Sequence, residues 1–233
     1  MRTLGLIGGI SWVSTIDYYR YINTFVNDAL GGLNYSQCIV YSFNYADIKK
    51  NNENNDWEST LNLIADACEN LKRSGAEGIV LCASTMHLIA DELEARIQIP
   101  VIHIASATGA EICRQKIKKI GLLGTRFTME RDFFKAKLTE QGIETIIPND
   151  SDRAYIHHVI FEEFGRGIFL PETKKRFQFI MQDLVNAGAE GIVLGCTEIP
   201  LLLRQTDFHL PLFDTTQIHS KAAVDFALNA RIR

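Results

Sequence analysis

Two short segments, Cys82-Ala83-Ser84-Thr85 and Gly195-Cys196-Thr197-Glu198, set thiols, hydroxyls and a carboxylate at the ends of two nearly identical apolar runs. A thiol is polarisable and gives a thiolate near neutral pH, so it can serve as nucleophile, acid or base. Loops at the ends of buried strands suit such groups, because the sheet beneath them is rigid. A helix beginning just beyond the strand presents unpaired N–H groups that favour an anion. On that basis the sequence predicts a lowered pKa for Cys196, the leading candidate for chemistry. Its bland alternative is a buried structural cysteine, common in apolar surroundings.

The elements that must position these groups are written twice. Residues 74–84 read SGAEGIVLCAS and residues 187–197 read AGAEGIVLGCT, with Gly75 to Leu81 matching Gly188 to Leu194 residue for residue. Two weaker matches flank them in the same order: RTLGLIGG at 2–9 with KKIGLLGT at 118–125, and IPVIH at 99–103 with LPLFD at 210–214. Three ordered matches at offsets of 111 to 116 residues describe a duplicated lobe. GIVL, GLIG and GLLG are continuous apolar runs, as in strands covered on both faces. Between them Trp57, Leu61, Ile64, Ala65, Cys68 and Leu71 recur at helical spacing, as do Phe177, Ile180, Met181, Leu184 and Val185. Strands alternating with helices predict an α/β fold of two Rossmann-like parallel-sheet lobes related by pseudo-twofold duplication. The active site is expected in the cleft between them, beyond the carboxyl ends of the strands.

Composition removes several function classes. The chain has 233 residues, 46% hydrophobic and 22% charged, with a net charge of −4, a balance that argues against a nucleic-acid partner. Its densest basic run is Lys174-Lys175-Arg176. No apolar stretch approaches the roughly 18 residues of a membrane span, so no membrane association is expected. The N-terminus enters a strand-like run without a convincing cleavage site, which speaks against a signal peptide. Five scattered cysteines with no C-x-x-C pair suit neither a disulfide framework nor zinc, and make the cytoplasm the default. Gly5, Gly8 and Gly9 form G-x-x-G-G rather than G-x-G-x-x-G, a weak basis for a dinucleotide site. There is no P-loop and no metal-ligand spacing. His157-His158 reads as a helix-surface pair and Cys68 as core. Residues 51–56, NNENND, read as a solvated loop, or as a flexible segment able to close over a ligand.

Read together, several segments resemble the aspartate/glutamate racemase family of the Asp/Glu/hydantoin racemase group. GLIGGISWVSTIDYY at 5–19 is similar to the family opening G-G-M-S-W-E-S-T, and LLGTRFTMERDFF at 122–134, GCTEI at 195–199 and FDTTQIH at 213–219 are similar to further family segments. The likeness runs from Leu4 to about Ala223. It implies racemisation of a small amino acid, aspartate or glutamate in the first place, by two opposed residues without a cofactor or metal. It also implies a small-molecule amino-acid or carboxylate substrate, a homodimer, and lobes at 1–105 plus 210–233 and at 106–209. Ser11, Ser84, Thr85, Thr125, Thr128 and Thr197 are then hydroxyls suited to a carboxylate, although each type is also common as a turn or helix cap. Glu198 would orient or buffer the thiol, or simply favour a helix's first turn. Arg126 would meet a distal carboxylate, or lie on the surface. Ile10 and Val13 replace the usual Met and Glu.

The first base position departs from the family. Its motif there is Cys-Asn-Thr-x-His, with Thr replacing Cys in some members. Anchoring on Thr85-Met86-His87 puts Ala83 at the base and Ser84 at the Asn. The internal repeat agrees: Ala83 falls opposite Cys196, and Cys82 opposite Gly195. Adjacent side chains of an extended segment point to opposite faces, so Cys82 should turn away unless the backbone shifts. Three readings follow: a racemase whose second face is served by water, Ser84, Thr85 or a displaced Cys82; a single-thiol, decarboxylase-like enzyme; or an amino-acid-binding relative without turnover.

Overall fold

The computed structural model describes residues 1–229. Its strands are β1 (Leu4–Gly8), β2 (Cys38–Ser42), β3 (Gly78–Leu81), β4 (Val101–Ile102), β5 (Lys119–Leu123), β6 (Glu144–Ile146), β7 (Ile192–Leu194) and β8 (Leu212–Asp214). Its helices are α1 (Trp12–Leu30), α2 (Tyr45–Glu53), α3 (Trp57–Arg73), α4 (Ala90–Ile97), α5 (Ile104–Arg114), α6 (Arg126–Glu130), α7 (Asp132–Thr139), α8 (Asp150–Glu162), α9 (Pro171–Asn186), α10 (Ile199–Leu202) and α11 (Thr215–Leu228). Among the described residues no helix is long and apolar enough to cross a membrane.

The strands form two four-stranded, all-parallel sheets with the same order, β2-β1-β3-β4 and β6-β5-β7-β8. The repeat extends to register. Gly5 pairs with Ile79 as Gly121 pairs with Ile192, and Ile79 pairs with Val101 as Ile192 pairs with Leu212. The three matched segments of the sequence are therefore three adjacent strands of each sheet, the two inner ones and one edge. Even the packing around the paired glycines repeats. A Cβ on Gly5 would lie 2.9 Å from Ile79 Cδ1 and 3.2 Å from Leu71 Cδ1; one on Gly121 would lie 2.8 Å from Ile192 Cδ1 and from Leu184 Cδ1. In each sheet the missing side chain lets a strand isoleucine and a helix leucine close over the central strand.

Each central strand is buried on both faces. On one face of the first sheet, Ile7, Ile79 and Leu81 pack with Leu61, Ile64, Cys68 and Leu71 of α3. On the corresponding face of the second, Leu123, Ile192 and Leu194 pack with Phe177, Ile180, Met181 and Leu184 of α9. The expected helical spacings are thus the inner faces of these two helices. Cys68 is core, its thiol pushed up to about 12 by burial.

The chain divides into two compact units, Met1–His103 with the chain from His219, and Ile104–Ile218. This differs from the expected boundaries at 105 and 210. Strand β8 pairs with β7, so residues 210–218 belong to the second unit. The crossings fall instead just after the fourth strand of each sheet. Helix α5 follows β4 but buries Ile104, Ala105 and Ile112 against Ile120 and Leu122 of β5. Helix α11 follows β8 and packs Ala223, Val224 and Ala227 against Leu4 and Leu6 of β1.

Residues 51–56 are only partly the expected loop: 54–56 form an exposed turn, but 51–53 are helical. Helix α2 continues to Glu53, and Asn52 is buried with its Oδ1 accepting from Thr60 Oγ1 at 3.2 Å. Asp56 then caps α3, accepting from Ser59 N at 3.0 Å. The polar composition concealed a helix end fixed by one buried side-chain bond and a cap.

Candidate active site

The alternation of the strands decides which way each candidate points. On leaving β3, Val80 and Cys82 face one side with Leu4, Leu6, Tyr18 and Ala223, while Ile79, Leu81 and Ala83 face the other. On leaving β7, Ile192, Leu194 and Cys196 share the side equivalent to that of Ala83. Ala83 and Cys196 therefore occupy the same position in the two units.

Cys82 thus faces the side of the strand opposite to Ala83. Its thiol lies 1% exposed among aliphatic side chains, where burial pushes its pKa up. Its counterpart is Gly195, where a Cβ would approach the Leu123 carbonyl oxygen to 2.7 Å. The inward position thus carries a core thiol in one unit and needs a glycine in the other.

Cys196 sits two residues beyond Leu194, the last residue of β7, on backbone held firmly at two points. Gly195 N donates to the Leu123 carbonyl at 2.7 Å, and the Leu194 carbonyl accepts from Thr215 Oγ1 at 2.8 Å. The thiol donates to Glu198 Oε2 at 3.0 Å, and Thr197 Oγ1 donates to the same oxygen at 2.8 Å. All three residues are 6% exposed. The lowered pKa expected for Cys196 is reversed. Burial first, then the charge of Glu198 and the hydrogen bond to it, hold the thiol well above its ordinary value, against backbone N–H groups of Thr197 and Glu198 that favour the thiolate. The helix beyond, α10, has only four residues, and its N-cap is Glu198 itself. A short helix offers less compensation than a carboxylate in direct contact removes.

In the first unit the equivalent end carries Ser84 and Thr85. Ala83 is extended and caps a 3-10 turn spanning Ser84–Ile89. Ser84 is 6% exposed, and its Oγ has no hydrogen-bond partner among the described residues. A buried hydroxyl without a partner costs about 1–3 kcal/mol, so it marks a place where a further group belongs. Thr85 is half-buried.

The remaining candidates divide between caps and surface. Ser11 caps α1, accepting from Ser14 N, and Thr125 caps α6, accepting from Thr128 N. Thr128 is fully buried beneath that cap, its Oγ1 3.2 Å from Thr125 Oγ1. Arg126 is exposed, its Nε 3.4 Å from Glu130 Oε1. Its backbone N donates to Nδ1 of the half-buried His157 at 3.2 Å; His158 is the exposed member of that pair. Gly9, at φ +81°, turns where any Cβ would collide with the Phe43 backbone, so the glycine pair after β1 serves a tight turn.

A cluster not foreseen from the sequence braces the first strand end. His87 donates to the Leu81 carbonyl, and its ring packs edge-on against His103 and His219 at centroid distances of 4.8 and 5.1 Å. His219 Nε2 donates to the Ile102 carbonyl at 2.6 Å, and its Nδ1 accepts from Tyr18 Oη at 2.8 Å. Burial holds His87 well below its ordinary pKa and His219 at about 3, so these rings work as neutral hydrogen-bonding struts. The only sequence signal was the placing of His87 and His219 inside two of the quoted segments. What brings them together is the parallel pairing of β3 with β4 and the return of α11.

The sequence profile described as Asp/Glu/Hydantoin racemase matches residues 7–223. A candidate Asp/Glu racemase of Yersinia pestis has a structure that superposes with a TM-score of 0.92 at 46% identity, covering 98% of this chain and all of its own. An aspartate racemase homologue from Pyrococcus horikoshii superposes with a TM-score of 0.85 at 33% identity, covering 97% of this chain and 99% of that one. The broad specificity amino-acid racemase RacX of Bacillus subtilis is 24% identical over 95% of this chain and 96% of its own length.

Proposed function

The chain belongs to the Asp/Glu/hydantoin racemase family, and from that membership we propose that it racemises aspartate, glutamate or a similar small amino acid through proton transfer at Cys196. The observation that carries this reading is the contact of the Cys196 thiol with Glu198 at 3.0 Å. The thiol points its proton at the carboxylate oxygen, which is placed to accept it when the sulfur acts on substrate. With the proton on Glu198, the sulfur is a thiolate able to remove an α-proton. With the proton on sulfur, the thiol can return one. Thr197 donates to the same carboxylate oxygen and holds it in place. Since burial already disfavours the thiolate, the substrate's own ammonium group would supply the positive charge that helps form it.

Inversion needs a proton delivered to the opposite face, and Ala83 has none to give. We assign that delivery to the Ser84 hydroxyl, with Thr85 beside it. An alcohol is a far weaker acid than a thiol, yet ample to protonate an amino-acid carbanion. In the reverse direction it must lose its proton first, so turnover should be slow beside an enzyme with paired thiols. Five free cysteines fit a reducing compartment and hence the cytoplasm, and the working form is taken to be a homodimer.

The reading is tested by incubating the protein with each enantiomer of aspartate and glutamate and separating the products by chiral chromatography. Inversion from both enantiomers, lost in Cys196→Ala, is expected. Binding of these amino acids without inversion or exchange would favour the binding-protein reading instead.

A further inference from the structure

Helix α1 is apolar on two sides. Its inner side, Tyr18, Ile22 and Val26, is buried in the first unit. Its outer side carries Trp12, Ile16 and Tyr19 at one-turn intervals, 67%, 55% and 54% exposed. The same stripe continues through Asn23 and Asn27, which tie the following loop to the helix: Asn23 Oδ1 accepts from Ser36 N at 3.0 Å, and Asn27 Nδ2 donates to the Gly32 carbonyl at 2.7 Å. That loop adds Leu33 and Tyr35, 87% and 54% exposed. Large exposed aromatics in a contiguous row are unusual on a surface that only meets water.

The internal repeat supplies a control. Trp12 is the first residue of a helix capped by Ser11, and Arg126 is the first residue of one capped by Thr125. Counting on from each cap, Ile16 corresponds to Glu130. Where the first unit has Trp12 and Ile16, the second has the ion pair Arg126–Glu130, with Arg153 adding a second bond to Glu130 at 3.0 Å. One fold position thus has a solvated, charged version and an apolar one.

We propose that the outer face of α1, with Leu33 and Tyr35, is the surface on which two copies of this chain pair about a twofold axis. The proposal rests on the homodimer reading above and names its surface. Its size is appropriate. Buried aromatics contribute about 150–250 Å² each, so at these exposures Trp12, Tyr19 and Tyr35 offer roughly 350 Å²; with Ile16 and Leu33 the row approaches about 600 Å² per chain and about 1,200 Å² for a pair, the lower bound of a standard interface. A twofold axis places the same stripe on both partners, so an uncharged row meets itself without like-charge repulsion.

The test transplants the second unit's solution into the first, as Trp12→Arg with Ile16→Glu, and measures mass by sedimentation over a dilution series. The wild-type chain should sediment at twice its 26.3 kDa, and the double variant at 26.3 kDa with an unchanged circular dichroism spectrum. Should the double variant misfold, Tyr19→Lys alone is expected to shift the dissociation midpoint at least tenfold upward in concentration. A wild-type chain that is monomeric throughout overturns the homodimer reading and this surface with it. A wild-type dimer whose folded variants stay dimeric overturns the surface alone.

Discussion

The two units carry the same sheet to the same point and then diverge. Beyond Leu194 the second places a thiol, a hydroxyl and a carboxylate in mutual contact. Beyond Leu81 the first places an alanine, a hydroxyl without a partner and a half-buried threonine. Even the brace on the strand-end carbonyl differs, Thr215 in one case and a histidine cluster in the other. Duplication supplies two rigid platforms, but the chemistry depends on the two or three residues each platform ends in. On the reading proposed here, the second unit handles the proton through a thiol and a carboxylate, and the first through a hydroxyl alone.

The strongest way to break this contrast is to remove the thiol. Cys196→Ala should lower α-proton exchange about 10³-fold, with the fold intact because alanine already occupies the equivalent position in the first unit. If exchange survives at the wild-type rate, the proton is handled elsewhere.

Glu198→Gln sharpens the account of the thiol. Removing the carboxylate's charge removes one of the forces that hold the Cys196 pKa up, while burial remains. The pH profile of Cys196 alkylation by iodoacetamide should therefore shift to lower pH. Exchange at neutral pH should fall about tenfold, since the thiol loses the group that accepts its proton. An alkylation profile that stays put would separate Glu198 from the thiol's titration.

The smallest effect is expected from making the units alike. Ala83→Cys adds a thiol at a position whose counterpart already tolerates one, and a thiol is the better proton carrier. Inversion should rise several-fold, to at most about tenfold, measured by circular dichroism of the amino acid. A loss of inversion with an unchanged melting temperature would show that Ala83 is not equivalent to Cys196 in use.

Much of the fold was legible because the repeat was. Three matched segments proved to be three adjacent strands of each sheet; the repeat's offset set Ala83 opposite Cys196, and strand alternation turned Cys82 to the other face. The resemblance already placed α5 in the second lobe and α11 in the first; what it did not give is that β8 stays with β7, so that the chain crosses back only after it. Residues 51–53 misled because asparagine-rich composition says nothing about one buried bond to Thr60. The Cys196 pKa misled because a helix N-terminus two residues away is weaker than burial and a carboxylate in contact. For Ser11 and Thr125 the sequence allowed both a cap and a ligand role, and the structure puts each side chain to use as a cap.

The central claim is that one strand end exchanges the α-proton and the other completes the inversion through Ser84. Proton NMR of L-aspartate and L-glutamate in D2O reads exchange, and chiral chromatography of the same samples reads inversion. Wild-type protein should lose the α-proton signal with accompanying inversion, while Ser84→Ala should retain exchange and lose most inversion. Equal inversion in wild type and Ser84→Ala, or no exchange with either protein, would contradict it.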